Sequence, residues 1–450
     1  MRNKSKTPNS CKGRSGANLT NQVGRLRDSA KLIILLPVRI TEICFVVSAY
    51  ALKISFSWSL RRFNSRNAYF VSQGNTLRET LQALGPTFIK LGQILSSRPD
   101  LVPSEISSQL ADLQEQVESR KPAQVKRLIA QFLGRELNSV FRYFAEEPIA
   151  AGSVAHVYRA ELLDGSVVAV KIVRPGVRWR MICDMVLFSA TAKILSLLPQ
   201  MRLIPMAPMV EEVRHILMCQ LDLSAEAYNY RKFRENFCKS SHVQLPRIHS
   251  EFSNDRMLTM EYLDGLQRVE QMAKKVGCTD ELANICLRAL FQMIFVDGFV
   301  HGDLHPGNVR FKNDEELVLL DCGLVVHLDP KKQSEFTRFF LSIATNNGSE
   351  CAKIALSTST WRTKIFDWNC FEKEMCELVN ANSGMSVEQF EVAHFAKELF
   401  ELFRRNGVRG STDFVTVILA LVVFEGIVKQ LSPSLDFQTE ARSFLSEVGV

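Results

Sequence analysis

Not one Cys-x-x-Cys pair occurs in this chain of 450 residues, although it holds 11 cysteines. An odd, scattered set without that spacing argues against a zinc site and a disulfide framework, and for a reducing compartment. Acidic residues are almost missing from the first 31 positions. Arg2, Lys4, Lys6, Lys12, Arg14, Arg25, Arg27 and Lys31 face Asp28 alone there, so this stretch supplies the whole formal net charge of +7. A nucleic-acid binder carries a basic face on its folded body, so no nucleic-acid partner is expected. A basic tail suits an anionic membrane surface, a targeting segment or plain solvation. Long uncharged runs are lacking too. The apolar belt from Leu32 to Leu60 is interrupted by Pro37, Arg39, Glu42 and Lys53, and its longest uncharged run, Ile43 to Leu52, is ten residues. That is half of the roughly 20 that cross a bilayer as a helix. No secretory signal is visible, and no internal repeat. No Gly-x-Gly-x-x-Gly turn follows an early strand, which speaks against a flavin enzyme.

What is present is organised around His301-Gly302-Asp303-Leu304-His305-Pro306-Gly307-Asn308, followed by a short strand pattern ending at Leu319-Leu320-Asp321-Cys322-Gly323. An aspartate, an asparagine five residues later and a second aspartate are the pieces that kinases use for phosphoryl transfer. One carboxylate can accept a proton or orient a nucleophile. An amide oxygen and a second carboxylate can hold magnesium, a hard ion that prefers oxygen ligands. Pro306 and Gly307 force a tight loop, so that Asp303 and Asn308 can face one point. A lone His-Gly-Asp would be an ordinary polar turn; the whole octet with the spaced Asp-Cys-Gly favours phosphoryl chemistry.

Hydrophobic residues make up 46% of the chain, enough for a sizeable core and two or three structural units. Residues 1–30 read as a disordered basic tail. Residues 31–75 read as apolar helices, either packed on the body, lying in a membrane interface or spanning the bilayer with Lys53 near its middle. A helical extension is expected over 76–140, where Lys90 and Gln93 share one helix face. A kinase-like amino-terminal lobe is expected over 141–262 and its carboxyl-terminal counterpart over 263–450. In the first lobe two strands flank the small-residue loop Ala150-Ala151-Gly152-Ser153, and a hairpin at Asp164-Gly165 leads into Val167 to Lys171. Lys171 is then a phosphate contact, the alternative being an edge-strand lysine that blocks aggregation. One helix is expected from Met209 to Glu226, with Glu226 as the partner that holds Lys171 toward phosphates. Glu211 and Glu212 read as solvated first-turn acids. Glu261 ends a strand that enters a linker, where an adenine ring would meet backbone groups. From Phe414 to Phe424 run eleven uncharged residues, apolar but for Thr416, most simply a buried helix. The fold class is α+β, a helix-rich, two-lobed protein-kinase-like fold with an amino-terminal helical extension.

Together these stretches resemble the UbiB family of atypical kinase-like proteins, also called the AarF family, from about Thr76 to Phe437. Lys90-x-Gly92-Gln93 is similar to the family's Lys-x-Gly-Gln motif, which ordinary kinases lack. Ala150 to Ser153 is similar to the family's alanine-rich replacement of the glycine-rich loop. Lys171 to Val177, the octet, and Phe424-Glu425-Gly426 through Pro433 match as well. The resemblance implies Mg-ATP binding: Lys171 on the phosphates with Glu226 as its partner, Asn308 and Asp321 on magnesium, Asp303 as the catalytic-loop carboxylate. Lys90 and Gln93 would cover the place where a peptide substrate lies, and Asp222 belongs to a family motif on the long helix. A membrane-associated ATPase in ubiquinone biosynthesis is implied, with a membrane lipid or isoprenoid quinone precursor and quinone-biosynthesis proteins as partners. The implied location is the cytoplasmic face of a bacterial inner membrane, or alternatively the matrix side of the mitochondrial inner membrane.

Three positions depart from the family pattern. Gln220 stands where glutamate is usual, which would cost Lys90 a charged partner. Gly152 replaces an alanine, and its access to φ > 0 would let the loop follow phosphates more freely. Cys322 follows the metal aspartate where phenylalanine is usual in kinases. No Ala-Pro-Glu occurs in the forty residues after Asp321, so a peptide has no docking platform. Two other readings share the residues: a small-molecule kinase of the aminoglycoside or choline type, and a nucleotide-binding pseudokinase scaffold.

Overall fold

A computed structural model of the chain describes residues 20–60, 66–96, 106, 109–110, 113, 122–197, 206–275, 279–383, 391–433, 435 and 437–449. Residues 1–19 of the expected tail, and positions 97–100 that follow the Lys90 motif, lie outside the described residues. The first element, α1 (Thr20–Leu60), is a single helix of 41 residues. It begins ten positions inside the stretch read as disordered, and it runs through Pro37 and every charge that seemed to break the belt. Helix α2 (Arg66–Leu84) is separated from α3 (Pro86–Ser96) by Gly85, at φ 93. A left-handed glycine followed by proline at the first helical position stops one helix and starts the next.

Helix α4 (Pro122–Leu133) leads into β1 (Phe141–Phe144), β2 (Ala150–Ala151), β3 (Ala155–Leu162) and β4 (Val167–Val173). After α5 (Val177–Leu195), α6 (Met206–Cys219) and α7 (Leu223–Asn236) come β5 (Val243–Gln244) and β6 (Met257–Glu261). An antiparallel sheet in the order β1-β3-β4-β6, with β2 on β3, forms the first lobe. The period of two along β4 decides where Lys171 goes. Val168, Val170 and Ile172 join the cluster of Phe141, Tyr158 and, from α4, Ile129. Ala169 and Val173 face the other way, into the main core, and Lys171 shares their row. By packing, α4 belongs to the sheet rather than to the helical extension in which the sequence pattern placed it.

The single helix expected from Met209 to Glu226 is two helices. Asp222 takes an extended conformation and its carboxylate accepts from the Ser224 and Ala225 amides at 3.0 and 3.3 Å. Such an N-cap satisfies donors that only a helix start leaves open. Glu226 therefore sits in the first turn of α7, not at the end of a longer helix.

The second lobe begins with α8 (Thr279–Phe291) and a π-helical turn, Gln292–Val296, then β7 (Phe299–His301), β8 (Val309–Phe311), β9 (Leu317–Leu319) and β10 (Val325–His327). Helices α9 (Pro330–Ala344), α10 (Gly348–Ser357), α11 (Trp368–Ser383), α12 (Val392–Arg405), α13 (Thr412–Leu431) and α14 (Phe437–Val448) complete it, with β11 (Ser359–Arg362) paired to β12 (Val408–Gly410). Helix α13 is the buried helix the Phe414 to Phe424 run suggested: Val415, Val417 and Phe424 have no exposed surface. Its buried Glu425 accepts from the Val392 and Ala393 amides, both at 2.9 Å, and so caps α12.

Candidate active site

Two short strand pairings bring the octet and the Asp-Cys-Gly loop together. On one side β8 and β9 are antiparallel, Val309 faces Leu319, and the Leu320 amide donates to the Asn308 carbonyl at 2.8 Å. On the other, β7 pairs with β10, and the Gly302 amide donates to the Leu324 carbonyl at 2.9 Å. Both loops are thus pinned at each end. Inside the octet His301 is fully buried. Its Nε2 lies 3.0 Å from the Leu320 carbonyl, and its Nδ1 accepts from the Asp303 amide at 3.1 Å. One nitrogen must donate and the other accept, so the ring is the neutral Nε2–H tautomer. Burial lowers its pKa and keeps it neutral, against the pull of Asp303 and Asp321. The sequence reading gave His301 no role; it orients the backbone of Asp303, and its place at the end of an apolar strand was the available signal. The Asn308 amide nitrogen donates to the Asp303 carbonyl at 2.9 Å, which leaves its oxygen as the atom for a cation.

Helix α7 holds the second loop. The Asp321 amide donates to the Tyr230 hydroxyl at 2.7 Å, and Asn229 donates to the Cys322 carbonyl at 2.8 Å. Asp321 has φ 52, a left-handed conformation rare outside glycine and typical of functional sites. Gly323 leaves room for it: a Cβ there would lie 3.2 Å from Asp321 Oδ1 and 3.6 Å from Glu226 Oε2.

Lys171 Nζ reaches Glu226 Oε1 and Asp321 Oδ1, each at 2.9 Å. The Lys171 and Glu226 side chains are 12% and 3% accessible, that of Asp321 48%. Burial pushes the Glu226 carboxyl up to about 7, against the attraction of Lys171. Burial raises Asp321 as well, but Lys171, and behind it Lys90, prevail and hold it down to about 2. The ammonium itself loses hydration yet is raised above its ordinary value by the two carboxylates.

A cavity of about 100 Å³ opens here, lined by Lys90, Gly152, Ser153, Lys171, Gln220 and Asp321, with Asp303 and Glu226 also on its wall. Ligand pockets run from roughly 300 Å³ upward, so this space suits a phosphate group rather than a whole nucleotide. Not all of the other expected site residues line it. Ala150 and Ala151 are exposed and paired to β3. Gly152 lines the cavity but is not among the positive-φ glycines, so it does not use the freedom expected of it. Glu261 lines a separate pocket with Arg234 and Tyr262, and its carboxylate accepts from the Arg247 amide at 3.1 Å. Asp222 is an N-cap. The Lys90 motif divides: Lys90 enters the cavity, whereas Gln93 donates to the Leu113 carbonyl at 3.3 Å. Gly92 packs on Leu113 and Leu81. Lys90 lies near enough to Asp321 to help lower its pKa, and among the described residues the buried Oε1 of Gln220 has no hydrogen-bond partner.

No cluster of three or more His, Cys, Asp or Glu that could hold a metal occurs among the described residues. Magnesium does not need one, because it keeps waters and takes one or two carboxylates plus substrate phosphates. An ionised, half-exposed Asp321 and the Asn308 amide oxygen fit that requirement.

Residues 112–355 match the ABC1 atypical kinase-like domain, and residues 375–436 match the UbiB helical domain. A protein of Tolumonas auensis named "Probable protein kinase UbiB" is 31% identical over 405 residues, covering 86% of this chain and 74% of its own. One of the same name from Shewanella sp. strain MR-4 is 30% identical over 384 residues, covering 84% and 70%. Among solved structures, Rv3197 of Mycobacterium tuberculosis, determined with erythromycin, shares the fold. Its TM-score is 0.53 at 20% identity, over 84% of this chain and 95% of that one.

Proposed function

The chain belongs to the UbiB family of ABC1 atypical kinase-like proteins, and on that footing we propose that it binds Mg-ATP and hydrolyses it in support of ubiquinone biosynthesis at a membrane. The observation that carries the reading is Lys171 Nζ at 2.9 Å from both Glu226 and Asp321, beside Asp303 on one cavity wall. Phosphoryl transfer needs positioning and charge neutralisation more than covalent chemistry. Lys171, held by Glu226, neutralises phosphate oxygens. Asp303, its backbone fixed by neutral His301, orients the attacking oxygen and takes its proton. Asp321 and the Asn308 oxygen would hold magnesium, which supplies positive charge at the phosphates when bound.

Lys90 and Gln220 wall the cavity, and the chain lacks an Ala-Pro-Glu segment on which a peptide acceptor would dock. On this reading the acceptor is water, and the energy is applied to an isoprenoid quinone precursor or membrane lipid on the cytoplasmic face of a bacterial inner membrane, alongside quinone-biosynthesis proteins. The test is ATP turnover of the purified chain with Asp321→Asn and Asp303→Asn as comparisons. A fall of about 100-fold or more is expected in each, and quinone profiles of a deletion strain should be restored by the wild type alone. Equal turnover in all three proteins would reject the reading. Stabilisation by Mg-ATP without turnover would favour a scaffold.

A further inference from the structure

Leu32–Leu52 of α1 is 21 residues long, and only 6% of it is buried in the body. At 1.5 Å per residue it measures about 31 Å, close to the hydrocarbon thickness of a bilayer. Length alone would let it cross, but its two charged residues decide otherwise. Both face the protein. Arg39 is 4% accessible and grips the fully buried Asp184 of α5, with Nε at 2.6 Å and Nη2 at 3.0 Å. It also donates to the Leu84 carbonyl at 2.7 Å, and Glu42 pairs with Arg39 and with Arg180 of α5. Ile43 and Val46 pack onto Leu81, Leu84 and Phe88. The middle of α1 is thereby fixed to three helices of the body. Centring it in a bilayer would draw Asp184 and Arg180 into hydrocarbon, where charge is costly.

The opposite face is apolar and bare. Ile33, Ile34, Val38, Phe45, Val47 and Leu52 are 48–75% exposed, and at 100° per residue they fall in an arc of about 180° centred roughly opposite Arg39, in which Thr41 and Ser48 are polar. Beyond both ends the sequence is basic: Arg25, Arg27 and Lys31 precede the stretch, Lys53 and Arg66 follow it, and no acid occurs from 43 to 78. We propose that α1 docks lengthwise on an anionic bilayer surface. The apolar arc enters the boundary between headgroups and acyl chains, the basic flanks meet lipid phosphates, and the body rests above. A second copy fits this face less well, because like charges would meet whether the two helices ran parallel or antiparallel. The inference rests on the membrane half of the proposed function and is independent of its phosphoryl chemistry.

The test uses the full chain with vesicles of phosphatidylcholine alone or with phosphatidylglycerol, in the absence of nucleotide. Binding should require the anionic lipid and fall at least tenfold in the Ile34→Glu, Phe45→Glu double variant, with the melting temperature held. Tryptophans introduced singly as Ile34→Trp, Phe45→Trp and Leu52→Trp should be quenched by brominated lipids at one shallow depth. Depths graded from one leaflet to the other would overturn the lengthwise geometry while leaving the membrane reading intact. Failure to bind either vesicle would remove the membrane reading itself, without touching ATP turnover. A concentration-dependent dimer abolished by the glutamate pair would assign the face to a second copy and overturn the proposal.

Discussion

Lys171 Nζ lies 2.9 Å from Asp321 Oδ1, across 150 positions of chain, and the same 2.9 Å from Glu226 Oε1. One ammonium thus serves two carboxylates in unlike surroundings, Glu226 sealed from water and Asp321 open to the cavity. On the proposed function it would leave Asp321 for a phosphate and keep Glu226, the more deeply buried of the two, as its partner.

Lys171→Met should therefore cost stability as well as activity. The substitution strands a buried carboxylate, a loss of about 3 kcal/mol where breaking a buried pair has been measured. Adding Glu226→Leu should recover much of that stability while turnover stays lost. Denaturant melts of the single and double variants decide it; a single variant as stable as the wild type would show that the pair contributes nothing to the fold.

Titration should separate the two acids. Glu226, raised to about 7, binds more protons folded than unfolded between pH 4.5 and 7. Its contribution is complete below its ordinary value near 4.5 and declines as pH rises through 7. Asp321, held at about 2, behaves oppositely: its contribution is present above its ordinary value near 3.8 and is lost as pH falls toward 2. The unfolding free energy of the wild type minus that of Glu226→Gln should fall from pH 5 to 7 and stay level from 7 to 8, a difference that cancels the opposite slope contributed to both proteins by His301, whose pKa burial lowers.

Gly92→Ala should destabilise, although alanine in an open helix position gains up to about 1 kcal/mol over glycine. A Cβ at Gly92 would collide with Leu113 Cδ1 and lie 2.8 Å from Leu81 Cδ1, and both leucines are buried. Overpacking of this kind costs about 1–3 kcal/mol. Because α3 also carries Lys90, ATP turnover should fall with the melting temperature, and an unchanged melt would mean that the leucines simply move aside.

Arg39→Met should lower stability by about 3 kcal/mol or more by leaving Asp184 unpaired in the core. Arg39→Met with Asp184→Leu should restore most of it. A thermal melt of the pair of variants tests whether the charges hold α1 or merely accompany apolar contacts.

Much of the site could be read along the chain because its parts are local. The octet holds Asp303 and Asn308 within one tight loop, and the period of two along Val167 to Val173 already puts Lys171 on the face opposite Val168, Val170 and Ile172. The break between α6 and α7 was legible in Asp222, yet the apolar pattern on either side masked it. At Glu261 strand alternation shows that the residue leaves the sheet, but not that its carboxylate turns to the Arg247 amide and to a pocket apart from Lys171.

Sequence alone determined which groups could do phosphoryl chemistry, since residue type fixes charge, donor set and loop geometry over a few positions. Only the tertiary structure decided that Lys90 parts from Gln93, that His301 is neutral, and that Arg39 faces inward while Phe45 faces out. Each of these depends on what a distant segment brings alongside, and burial and charge pairing exist only once Asp184, Leu113 or Leu320 has arrived.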